Sequence, residues 1–135
     1  MGAIVVTSEV ADVMAPGDHA TTFGGGPLVA SAGRAVLATL LEDGFLGRVR
    51  ERGALVSNRL GQMAASRSDV VEVRGMGLMW GLQMAGGAGD IVVRARSNGL
   101  LILTAGPDVV RLLPPLTVSE EDLGHGLDLL EEALG

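Results

Sequence analysis

Val70-Val71-Glu72-Val73-Arg74-Gly75-Met76-Gly77-Leu78-Met79-Trp80-Gly81-Leu82-Gln83 is the stretch on which the fold class turns. Two short apolar runs flank Gly75-Met76-Gly77, which predicts strands over 70–74 and 78–83 joined through a tight connection. Gly86-Gly87 closes the pair, and a helix is predicted from about 88 to 97, ending at Asn98-Gly99, a common left-handed terminus. Residues 100–103 and 109–113 read as two more strands, the second ended by Pro114-Pro115. Ser119 with Asp122 three residues on is a near capping box, opening a last helix with Leu123, Leu127, Leu130 and Leu134 on one face.

Upstream of that block, the apolar run at 2–6 predicts a buried strand. Ser8 is expected to N-cap a brief helical turn containing Glu9 and Asp12, which Pro16-Gly17 ends. Residues 17–26, rich in glycine and polar, read as a loop. Pro27 suits a first helical turn, and Leu28, Val29, Ala32, Val36, Leu37, Leu40 and Leu41 recur at helical spacing to about 43. Gly44 breaks that helix, and 45 to about 65 gives another, with Leu46, Val49, Leu55, Val56, Leu60 and Met63 as its expected core stripe. The order strand, helix, helix, then ββαββα implies an α+β fold with helices covering one face of a small, largely antiparallel sheet.

Composition narrows the function. The chain has 135 residues, 47% hydrophobic and 19% charged, as expected of one folded unit rather than a disordered segment. No apolar run approaches the roughly 18 residues of a membrane span, and the N-terminus lacks a signal-peptide pattern, so the expected address is cytoplasmic with no membrane partner. The absence of cysteine removes disulfides, thiolate nucleophiles and Cys-type zinc sites. A net charge of −6 with dispersed arginines disfavours nucleic acid. Every basic residue is Arg, because the sequence contains no Lys.

Gly17-Asp18-His19-Ala20-Thr21-Thr22-Phe23-Gly24-Gly25-Gly26-Pro27-Leu28 resembles the G-D-H-x-S/T-T-F-G-G-N-P-L signature of class-III pyridoxal-phosphate-dependent aminotransferases of the acetylornithine type. Arg50-Glu51-Arg52-Gly53, Val73-Arg74-Gly75-Met76-Gly77-Leu78-Met79-Trp80-Gly81 and Arg111-Leu112-Leu113-Pro114-Pro115-Leu116 with Glu120-Glu121 follow in the family's order. The resemblance therefore covers essentially the whole chain, but only the C-terminal third of a typical member. It implies residues 1–26 as a remnant of the large cofactor-binding domain of a fold-type-I enzyme, and 27–135 as a connecting helix and the C-terminal small domain.

The resemblance also implies a chemistry: amino transfer between an N-acetylornithine-like donor and 2-oxoglutarate, as in arginine biosynthesis, by a homodimer. In such enzymes a lysine makes the Schiff base with pyridoxal 5'-phosphate. That lysine, the aspartate for the pyridine nitrogen and the phosphate loop are expected upstream of Met1, so this chain alone is expected to be inactive, with no catalytic residue of its own and no firm hold on the cofactor. The alternative is a free-standing noncatalytic fragment or interaction module derived from such an enzyme. In isolation its 2–6 segment and the helix from Pro27 would expose apolar surface, which makes self-association the expectation.

Two sites carry over from the resemblance. Thr22, assisted by Thr21, matches the family's contact with the cofactor phosphate across a dimer interface; taken without the resemblance, Thr22 reads as a residue that caps or fills a turn. Arg111 matches the binder of the substrate α-carboxylate, a role suited to a planar guanidinium; taken alone, it is compatible with an edge-strand arginine facing water or a structural ion pair. Gly26 departs from the usual Asn and removes side-chain hydrogen bonds from the loop. Phe23 reads as a loop-shaping residue that could also pack near the cofactor. Gly75-Met76-Gly77 lacks dinucleotide spacing. His19 and His125 lie far apart in sequence, with no Cys or second His at ligand spacing to either, which disfavours a metal site, and His125 is expected to be exposed. The acidic pairs suit helix ends and the methionines a gap-filling core.

Overall fold

In a computed structural model describing residues 2, 4–22 and 24–135, the chain divides into two units, 1–45 and 46–135.

The second unit carries the sheet. Four strands, β1 (Val70–Met76), β2 (Met79–Met84), β3 (Leu103–Ala105) and β4 (Val109–Leu112), lie in the order β1-β2-β4-β3. All three pairings are antiparallel. This agrees with the α+β reading. Gly77 and Leu78 alone separate β1 from β2, with Gly77 at φ +59°, a conformation that favours glycine. Because side chains alternate across a strand, the register sets two rows: Val73, Leu82 and Val110 on one face, Arg74, Gly81 and Arg111 on the other. Leu82 and Val110 are fully buried, so the first row faces the core.

Three helices complete this unit. They are α3 (Phe45–Ala65), α4 (Gly89–Ser97) and α5 (Glu120–Leu134), numbered after α1 (Ser8–Ala11) and α2 (Pro27–Leu40) of the first unit. Val49, Val56, Leu60 and Met63 of the expected α3 stripe are buried. Leu55 sits one position off that line and is half-buried, and Leu46, in the opening turn, is largely exposed. Gly53 lies on the same line, where an added Cβ would stand 2.5 Å from the Gly77 carbonyl oxygen. Its missing side chain lets α3 approach the β1–β2 turn.

Ser119 caps α5 as expected, its Oγ accepting from the Asp122 amide at 2.9 Å. Leu123, Leu127, Leu130 and Leu134 are buried along one face, each contributing about 2 kcal/mol relative to exposure. Arg59 on α3 bonds Asp128 and Glu131 of α5 at 2.7 and 3.1 Å. Arg67 pairs with Asp69 at 2.9 Å and also donates to the Leu134 carbonyl at 2.9 Å, fastening the α3–β1 connection to the end of α5.

One strand is displaced from its expected position. Residues 100–102 are not in the sheet, and β3 begins at Leu103, which pairs with Arg111. The β3–β4 ladder ends at the Leu103–Arg111 pair; continued, it would set Leu100 opposite Pro114, which has no N–H to give. Ile102 is buried there by packing alone.

In the first unit neither α1 nor α2 holds a buried residue, and Leu28, Val36, Leu37 and Leu41 expose their side chains. The strand expected over 2–6 includes Ala3, which lies outside the described residues; Ile4, Val5 and Val6 form no strand and are exposed. An apolar run becomes a strand only against a partner, and no described strand pairs with this one. Thr7, not Ser8, is the N-cap of α1, and its side chain makes no cap bond.

Candidate functional site

Arg111 stands between Val110 and Leu112 on β4, a strand bonded on both sides, by β2 and by β3. Its neighbours are buried and it is half-exposed, because alternation turns it to the open face of the sheet. The reading of Arg111 as an edge-strand residue is thereby excluded. Among the described residues it makes no ion pair and no side-chain hydrogen bond, which leaves its planar set of donors unengaged.

Around it the open face forms a concavity of about 580 Å³ lined by Arg74, Met76, Met79, Trp80, Val109 and Arg111. Gly81 lies directly between Arg74 and Arg111 in the register. A Cβ at Gly81 would meet Val109 Cγ1 at 3.0 Å, so a side chain there would crowd the middle of the concavity. Arg74 is engaged: it pairs with Glu72 and bonds Gln83 Oε1 at 3.1 Å. Gln83 Nε2 in turn donates to Asp108 Oδ2 at 2.9 Å. Sequence reading quoted Arg74 within a motif and gave it no role; only the register, fixed by the Gly77-Leu78 turn, sets it in line with Arg111.

Thr21 and Thr22 belong to the first unit, in an exposed turn before α2. A Cβ at Gly24 would collide with the Thr21 methyl group, and Gly25 adopts φ +77°, so this turn depends on its glycines. Neither threonine hydroxyl has a hydrogen-bond partner among the described residues. Phe23 lies outside the described residues. Gly26 is the N-cap of α2 without a side-chain bond, as its departure from Asn predicts. Thr22 and Arg111 thus fall in different units.

A second concavity, about 260 Å³, lies in the second unit, with Val56, Leu101, Leu113, Val118 and Leu123 among its walls. His125 is exposed on α5. Asp69 has its carboxyl held below the usual range, chiefly by its hydrogen bond from Arg67, and Arg67 and Arg59 are raised by their carboxylate partners. These pairs fasten elements and line neither concavity. An aldehyde cofactor held as a Schiff base needs a side-chain amine; the chain has no lysine, and arginine stays protonated. The residues present therefore do not fit a covalently held pyridoxal phosphate.

The family model described as aminotransferase class-III matches residues 1–134. The acetylornithine aminotransferase of Listeria innocua is 37% identical over 134 residues, 99% of this chain and 35% of the relative. That of Bradyrhizobium diazoefficiens is 41% identical, covering 98% and 33%. Among solved structures, an ornithine delta-aminotransferase of Plasmodium falciparum superposes with a TM-score of 0.83 at 27% identity, over 96% of this chain and 34% of that one. The chain spans about a third of the length of the relatives it matches.

Proposed function

Because the chain belongs to the class-III aminotransferases, a pyridoxal-phosphate-dependent family, we propose that it carries the substrate-carboxylate site of an enzyme moving an amino group from an N-acetylornithine-like donor to 2-oxoglutarate. The observation that carries this reading is Arg111: a guanidinium without a partner among the described residues, fixed on an internal strand and lining an open concavity. Its fork of donors suits both oxygens of a carboxylate. The acetylornithine donor is taken from the names of the relatives.

In this reading residues 1–26 belong to a cofactor-binding domain and 27–135 to a connecting helix and small domain. Thr22, with Thr21, offers its hydroxyl to the cofactor phosphate of a partner subunit, and the exposed apolar side chains of α2 support a homodimer. The electron-sink chemistry is the cofactor's, and this chain offers no amine to hold it. Alone, the chain does not turn over. The absence of lysine equally favours a noncatalytic module, and carboxylate binding separates the two readings.

Calorimetric titration of the chain with 2-oxoglutarate tests this directly. Binding that weakens about tenfold in Arg111→Gln is expected from losing a charge-assisted contact. Equal binding by both chains, or none by either, would overturn the assignment of Arg111.

A further inference from the structure

β1 stands at an edge of the sheet. No described strand lies beyond it, and along Val70–Met76 every residue except Val70 and Val73 is exposed. An edge strand carries a row of backbone N–H and C=O groups on which another strand can pair. The opposite edge, β3, has three residues, too few to serve as a template, whereas β1 has seven and no proline.

The side chains of β1 decide which strand fits. Glu72 and Arg74 share the open face, on either side of Val73. In an antiparallel ladder directly opposed residues lie on the same face, so a two-fold axis relating two β1 strands passes through a residue position, not between two. An axis at Glu72 sets Glu against Glu, and one at Arg74 sets Arg against Arg. Only an axis at Val73 opposes unlike charges: Glu72 meets Arg74 of the second copy, and Arg74 meets Glu72 of the second copy. The same register brings Met76, 85% exposed, against the exposed Val71 end of the second strand.

We propose that β1 is a self-docking edge, through which two copies of this chain join antiparallel about Val73 and merge their four-stranded sheets into one. Arg74 meets its own Glu72 and Gln83 Oε1 through Nη1 alone; Nε and Nη2 have no partner among the described residues and are available to the second copy. Both side chains of the Glu72–Arg74 pair are 51% exposed, so this ion pair holds weakly and re-forms across the interface at little cost. The bulge between Val70 and Glu72 confines the regular ladder to residues 72–76. The interface is therefore smaller than a standard one and the dimer is weak. Arg111 and the apolar side chains of α2 take no part in it.

Native mass spectrometry of the full chain at high concentration tests the pairing. The parent chain is expected to show a dimer. Glu72→Arg and Arg74→Glu should each lower its population about tenfold, because each sets like charges opposite one another at two cross-strand positions. Mixed, the two variants should form a heterodimer about tenfold in excess of either homodimer, and their different masses resolve the three species. The chain carrying both substitutions, which exchanges the two charges, should dimerise like the parent. Homodimers and heterodimer in statistical proportion, as association through α2 would give, or a parent chain that stays monomeric, would overturn the proposal. The recovered dimers of the mixture and of the doubly substituted chain are gains that unfolding cannot imitate.

Discussion

Leu82 and Leu101 offer the same chemical truncation in opposite surroundings. Leu82 is fully buried on β2, between Val73 and Val110 in the register, whereas Leu101 is 84% exposed. Replacing Leu82 by Ala removes three carbons, worth about 2.4 kcal/mol of transfer free energy at about 0.8 kcal/mol each. The void left among rigid neighbours raises the cost to about 3–4 kcal/mol. That is a large share of the roughly 5–10 kcal/mol that stabilises a unit of this size. The midpoint of thermal unfolding should fall by about 12–32 °C, since each kcal/mol shifts a domain of this length by roughly 4–8 °C. Leu101→Ala should change stability by less than about 0.5 kcal/mol. Urea and thermal melts followed by circular dichroism measure both. A loss below about 1 kcal/mol in Leu82→Ala, or equal losses in the two variants, would refute the claim that the Val73–Leu82–Val110 row is the core face of the sheet.

Other outcomes follow from individual contacts. Ser119→Ala removes the oxygen that accepts from the Asp122 amide at 2.9 Å and should cost about 1 kcal/mol, read from the same melts; Ser119→Asp, which keeps an acceptor, should recover most of it. Asp69 has its folded-state carboxyl depressed, chiefly by the hydrogen bond from Arg67, so its contribution is present above the unfolded value near about pH 4 and is lost as pH falls through the lower, folded value. The stability gap between the parent chain and Asp69→Asn, measured by urea melts, should therefore close as pH drops below about 4; a gap that widens there would contradict the pairing.

Much of this fold can be read in the sequence because its signals are local. Ser119 with Asp122 fixes the start of α5, Asn98-Gly99 ends α4 with Gly99 at φ +92°, and the leucines of α5 repeat at helical spacing. What sequence does not carry is partnership. The run at 4–6 has strand composition, but a strand exists only against another, and none of the described strands meets it. Leu100 and Leu101 look like strand residues, yet the register would set Leu100 opposite Pro114, which has no N–H to give, and the ladder stops short of both. The candidate site divides along the same line. Arg111 stands out in sequence as a charge within an apolar strand, whereas Arg74 becomes part of the same surface only through the β1–β2–β4 register.

The central claim is that this chain contributes carboxylate recognition to a class-III aminotransferase while lacking the amine that its chemistry needs. Its most direct test is amino transfer by the purified chain supplied with pyridoxal phosphate, N-acetylornithine and 2-oxoglutarate, with glutamate quantified by mass spectrometry. No glutamate above the protein-free control is expected. Formation of glutamate at a rate proportional to the concentration of the chain, and abolished by heat denaturation, would contradict the account.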